Sequence, residues 1–148
     1  MNSEWRGAKG EANEKMVNSP RFERLCGTRI ASTAAALDAV AWPAGTIALR
    51  FAVDELYITP PLVDSDVVLA LDEHAIIVVD NAFSGARVEE GQACALLERF
   101  CEWEIPAERP AFAQGAVAGV PTKLWLTAGQ VLFIVPTPYA HEMEARLV

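Results

Sequence analysis

Residues 119–147 read GVPTKLWLTAGQVLFIVPTPYAHEMEARL, and the alternation within this stretch decides the fold class. PTKLWLT and QVLFIVP are strand-length apolar runs separated by TAG, which supplies a turn glycine. TPYAHEMEARLV then places Tyr139, Met143 and Leu147 four residues apart, the spacing of one helix face. A strand, a tight turn, a strand and a closing helix predict a sheet with a helix laid on it. The stretch contains one histidine, one lysine and no cysteine, aspartate or serine, so the chemistry, if any, is expected elsewhere.

Working back toward the N-terminus, AQGAVAG is a third short strand, and IPAERPAF before it is a proline-bounded loop. EEGQACALLERFCEW is the clearest helix. Cys94, Leu97 and Cys101 recur at helical spacing with Ala93, Leu96 and Phe100 beside them, while Glu98, Arg99 and Glu102 take the other face. Glu89 and Glu90 sit at its start, where the helix dipole favours anions. SGARVEEG is polar and reads as a weak edge strand or a loop. AIIVVDNAF is an unbroken apolar run that predicts a strand buried on both faces. PPLVDSDVVLALDEHA predicts a helix introduced by Pro60 and Pro61, with Leu62, Val63, Val67, Leu69, Ala70 and Leu71 as its stripe. TIALRFA and ELYIT are two strands about the turn Val53-Asp54, and the alanine-rich RIASTAAALDAVAW predicts a helix ending before Pro43. Residues 1–21 are polar and mixed in charge and read as a flexible N-terminal arm, with Trp5 and Met16 as its apolar anchors. The expectation is therefore an arm over 1–21 and a single α+β domain over 22–148, with a mixed or antiparallel sheet covered by helices on one face.

Composition bounds the function. The chain has 148 residues, 52% of them hydrophobic, enough to bury a core. No apolar run approaches the roughly 18 residues of a membrane span, and the N-terminus lacks a signal-peptide pattern, so a cytoplasmic location is expected. The net charge of −8 disfavours a nucleic-acid partner. Between Glu89 and Glu108 lie six glutamates and one arginine, either a solvated face or an acidic docking surface. Three cysteines without a CxxC pair argue against a disulfide framework or a zinc cluster, and Cys26, Cys94 and Cys101 read as small buried hydrophobes.

Catalytic fingerprints are not legible. Neither GxGxxG nor GxxxxGK[ST] occurs. His74 and His141 are isolated and read as surface residues, and Asp64 and Asp66 are explained by a helix start. Asp80, at the end of IIVV, is the most suggestive acid, suited either to a specific role or to hydrogen-bonding the adjacent turn. This pattern points to a binding or structural subunit.

Taken in order, residues 52–59 (AVDELYIT), 75–83 (AIIVVDNAF), 91–112 (GQACALLERFCEWEIPAERPAF), 119–126 (GVPTKLWL) and 131–147 (VLFIVPTPYAHEMEARL) resemble the gamma subunit of heterotetrameric sarcosine oxidase. The likeness spans about residues 46–148, although Val53 and Leu56 stand where that family has proline and tryptophan. It implies a fold akin to the folate-binding domain of aminomethyltransferases. It also implies a non-catalytic chain packed against a large alpha subunit, with beta and delta subunits completing the complex. FAD, FMN, NAD, tetrahydrofolate and zinc would then belong to the partner subunits. Subunits of N-methylglutamate dehydrogenase fit similarly. A stand-alone one-carbon protein, with Asp80 holding a pterin, and an unrelated α+β interaction protein are the alternatives. The candidate partner surface comprises Trp5 with Leu124, Trp125, Leu132 and Phe133, because successive strand residues face opposite ways and both faces of the hairpin are apolar.

Overall fold

The computed structural model describes residues 19–148. The 1–21 arm therefore lies almost wholly outside the described residues, as do Trp5 and Met16. Nine strands follow in order: β1 (Glu23–Arg24), β2 (Gly27–Ala31), β3 (Ile47–Ala52), β4 (Glu55–Thr59), β5 (Ile76–Asp80), β6 (Phe83–Glu89), β7 (Ala111–Val117), β8 (Val120–Thr127) and β9 (Gln130–Pro136). The helices are α1 (Ala34–Ala39), α2 (Asp66–Leu69), α3 (Glu90–Phe100) and α4 (Ala140–Arg146), the last preceded by a 3₁₀ turn over Thr137–Tyr139. The architecture is α+β with two sheets, and the chain clusters into two compact units: Arg24–Ser84, and Gly85–Val148 together with residues 19–23.

In the second unit the closing stretch folds as its alternation predicts. β7, β8 and β9 form an antiparallel meander, Leu124 facing Phe133 and Trp125 facing Leu132. The β7–β8 link is the two-residue turn Ala118-Gly119 with φ of 52° and 77°, the positive-φ pair that matches strand twist in a hairpin. Val120, Thr122, Leu124 and Leu126 alternate inward along β8, whereas β9 is buried at every position from Val131 to Val135. Helices α3 and α4 bring Ala93, Leu96, Leu97, Met143 and Leu147 to the core made by Leu124, Leu126, Val131, Phe133 and Val135. The predicted face of α4 holds at Met143 and Leu147, but Tyr139 falls in the 3₁₀ turn and is exposed. Phe22 joins this core, and its N–H donates to Glu144 at 2.7 Å.

SGARVEEG is neither an edge nor a loop. Its first six residues belong to β6, which lies between β1 and β9 in the order β1-β6-β9-β8-β7 and is buried from Phe83 to Ala86, and Glu90 and Gly91 open α3. Its small residues fit a crowded interior position that polarity alone disguises.

The first unit runs β2-α1-β3-β4-α2-β5, with an antiparallel sheet in the order β3-β4-β2-β5. This is the connectivity of the split βαβ, or ferredoxin-like, motif. One sheet face packs Ile30, Leu56 and Ile58 against Leu37, Val40 and Val68. Three expectations fail here. The helix predicted from Arg29 begins only at Ala34, capped by Thr33 Oγ1, which accepts from Ala36 N at 3.1 Å; Arg29 to Ala31 are strand. The helix predicted after Pro61 is a single turn, Asp66–Leu69, because Asp64 and Ser65 initiate it late and Ala70–Leu71 end it. AIIVVDNAF is two strands, and β5 is an edge strand rather than a buried one, with Ile76, Val78 and Val79 63%, 49% and 76% exposed.

Candidate functional site

Strand geometry assembles a polar cluster on the sheet face opposite α1 and α2. Arg29 on β2 lies opposite Tyr57 on β4 and opposite Val78 on β5. With a side-chain period of two, Glu55 and Asp80 share that face one step away on either flank. The Arg29 guanidinium consequently bridges two strands, pairing with Glu55 on one side and with Asp80 at 2.8 Å on the other. Asp80 is the better shielded carboxylate, its side chain 13% exposed, and its other oxygen accepts from Ala82 N at 3.0 Å. Both readings of Asp80 thus meet in one residue: it closes the adjacent turn and holds a cation.

Aromatic rings frame the cluster. Phe51 stacks on Tyr57 at 5.6 Å, and Phe83 meets both rings edge-on. The guanidinium lies 5.0 Å from the Phe51 centroid and 5.6 Å from that of Phe83, within cation–π range. Gly27 is required by this packing, since a methyl group there would overlap the Tyr57 ring. Tyr57 is fully buried and among the described residues its hydroxyl has no hydrogen-bond partner; Thr59 beside it donates instead to the Cys26 carbonyl at 2.7 Å. Burial first and the Asp80 carboxylate second push the phenol up to about 12, against the opposing effects of Thr59 and Arg29. Arg29 Nε is likewise buried without a hydrogen-bond partner among the described residues. At neutral pH the cluster presents a neutral phenol and two ion-paired carboxylates. The ion pairs tie β2 to β4 and to β5 on this sheet face.

The remaining candidates are scattered. His74 and Glu73 are both largely exposed and lie 3.4 Å apart, a surface pair. Asp72 accepts from Ser32 Oγ at 2.7 Å and from the N–H groups of His74 and Thr33, contacts that hold its carboxyl below the usual range, the Ser32 bond most of all. Asp64 accepts from Asp66 N, and His141 lies on the exposed side of α4. Glu89 caps α3 by accepting from Gly91 N and Gln92 N, which lowers its pKa. Among the described residues no group of three or more histidine, cysteine, aspartate or glutamate side chains is placed to hold a metal, and no helix is long and apolar enough to cross a membrane.

The cysteines are not buried hydrophobes: Cys26 and Cys94 are exposed and Cys101 is half-buried. On α3 the buried set is Ala93, Leu96 and Leu97, so the apolar stripe is rotated by about one residue from the expected one and turns Cys94 outward. Leu124, Leu132 and Phe133, expected at a partner surface, are buried by this chain itself. Trp125 alone of the four hairpin positions is half-exposed. Leu124 and Phe133 belong to the core that α3 and α4 cover, and Leu132 is 2% exposed.

Arg29, Tyr57, Phe51 and Phe83 were missed as a group. Alternation was the available signal, since Arg29, Tyr57 and Leu49 sit in register across three strands, but reading Arg29 as helical concealed it. No protein-family model matches this chain, and no curated protein matches it either.

Proposed function

We propose that the chain is a non-catalytic accessory subunit of a multisubunit, flavin-dependent secondary-amine oxidase or dehydrogenase of the sarcosine oxidase kind. In this reading it has the aminomethyltransferase-like fold that the order of its sequence motifs implies, and it docks on a larger subunit. The observation that carries the docking role is β5. Among the described residues it ends its sheet and pairs with β2 alone, and Ile76, Val78 and Val79 are exposed on both of its faces. An exposed apolar edge strand is a template for pairing with another chain, and soluble proteins ordinarily blunt such an edge with charge or proline. Here the strand carries neither before Asp80. Flavins, nicotinamide nucleotide, tetrahydrofolate and zinc reside in the alpha, beta and delta partners under this proposal.

Affinity purification of the tagged chain from its source cells, followed by an absorbance scan for flavin, tests it. A yellow complex with larger chains that oxidises methylated amines is expected, and Val78→Lys should release those chains while the tagged protein stays folded. A colourless, solitary monomer would overturn the proposal.

A further inference from the structure

We infer that the unit Gly85–Val148 contains a binding site for a small amphipathic monocarboxylate, in the cavity between α3 and the loop 102–110. The cavity measures about 480 Å³, within the range of about 300–1,000 Å³ typical of small-molecule sites. Leu97 and Leu126, both nearly inaccessible, line it together with Trp103, Ile105 and Pro106. These walls are fixed in advance. Trp103 Nε1 donates to the Ala116 carbonyl at 2.8 Å, and its ring packs so closely on Gly115 that a methyl there would sit 2.5 Å away. Cys101 Sγ meets the Trp103 carbonyl at 3.4 Å. A loop tied down at both its indole and its carbonyl loses little entropy on binding.

Arg109 supplies the recognition. Its Nη1 donates to the carbonyls of Pro106 (2.7 Å) and Glu108 (2.9 Å), which holds the guanidinium in the cavity wall. Among the described residues it has no carboxylate partner, unlike Arg29, Arg50 and Arg146. A guanidinium without a carboxylate partner among the described residues, set against apolar walls in a chain of net charge −8, is complementary to a carboxylate joined to an apolar body. Glu98, exposed on the α3 side of the cavity, repels a second negative charge and so selects a monoanion.

Cys94 and Cys101 also line the cavity and report on its occupancy. Cys94 lies on α3 and Cys101 is the extended residue that caps its C-terminal end, seven residues on; at the helical rise they stand about 10 Å apart, too far to form a disulfide. Exposed Cys26, in the other unit, is an internal reference. The experiment measures iodoacetamide alkylation of each cysteine in the full chain by peptide mass spectrometry, with phenylacetate or its uncharged analogue phenylacetamide present. Phenylacetate is expected to slow alkylation of Cys94 and Cys101 saturably and to leave Cys26 unchanged. Phenylacetamide, and phenylacetate on Arg109→Gln, should each protect about tenfold less well. Equal protection by acid and amide, or none at about 10 mM ligand, overturns the site. Circular dichroism checks that Arg109→Gln is folded; if it is not, the acid–amide comparison on the unaltered chain decides.

Discussion

Two apolar runs, IIVV at 76–79 and VLFIV at 131–135, are nearly interchangeable in composition and end in opposite surroundings. The second becomes β9, flanked by β6 and β8, with Val131 to Val135 all buried; the first becomes β5, flanked among the described residues by β2 alone and largely exposed. An uninterrupted apolar strand implies two covered faces, but the cover need not come from the same chain. The difference separates a core strand from an exposed edge strand, and the proposed accessory role rests on it.

The sharpest test of that difference compares truncation on the two strands. Phe133→Ala on β9 should cost about 3–5 kcal/mol, since it empties a fully buried site. Val79→Lys on β5 should change the stability of the isolated chain by no more than about 0.5 kcal/mol. Urea unfolding of both variants measures this, and comparable losses would mean that β5 is a core strand after all.

A smaller effect probes the face beside β5. Because the buried Tyr57 hydroxyl has no hydrogen-bond partner among the described residues, Tyr57→Phe should leave stability at neutral pH unchanged or raise it by up to about 1 kcal/mol. The sign of its pH dependence follows from the raised phenol. The folded chain binds the proton more tightly than the unfolded one, so the contribution is fully present below pH 10.0 and is lost as pH rises toward about 12. Alkaline denaturation curves should show this loss in the native chain and not in the Phe variant.

The smallest effect contrasts the helix caps of the two units. Thr33→Ala should cost about 1 kcal/mol at any pH, because a hydroxyl cap does not titrate in this range. Glu89→Gln should cost stability only where Glu89 is ionised. Its lowered pKa means that its contribution is present above the unfolded-state value and disappears as pH falls through the folded one. Thermal melts at neutral and acid pH should converge for the Gln variant and stay separated for Thr33→Ala.

Legibility in the sequence followed how local the determining interactions are. The β7-β8-β9 meander, the β3-β4 hairpin and α3 were readable, because period-two or period-3.6 patterning between short turns leaves few alternatives. Arg29 was misread since TRIA is followed, after Ser32-Thr33, by an alanine run, and the strand before Ser32 is set by pairing with β4 and β5. Asp80 stood out from its position at a strand end, yet Glu55, Tyr57 and Arg29, its partners on the sheet face, lie 23 to 51 residues away and declare nothing at that distance. The cavity at Arg109 escaped notice for the same reason, as its walls come from a helix, a loop and β8.

By itself the sequence determined the α+β class, most element types in the C-terminal half, the acid excess and the absence of familiar nucleotide-binding patterns. Those follow from composition and nearest-neighbour periodicity, which act within a few residues. Only the tertiary structure decided which apolar strand is central and which is an edge, that β6 is interior, and that Arg29 joins two carboxylates across three strands. These outcomes depend on strand order, and strand order is chosen by the burial and backbone pairing of the whole chain rather than by any segment of it.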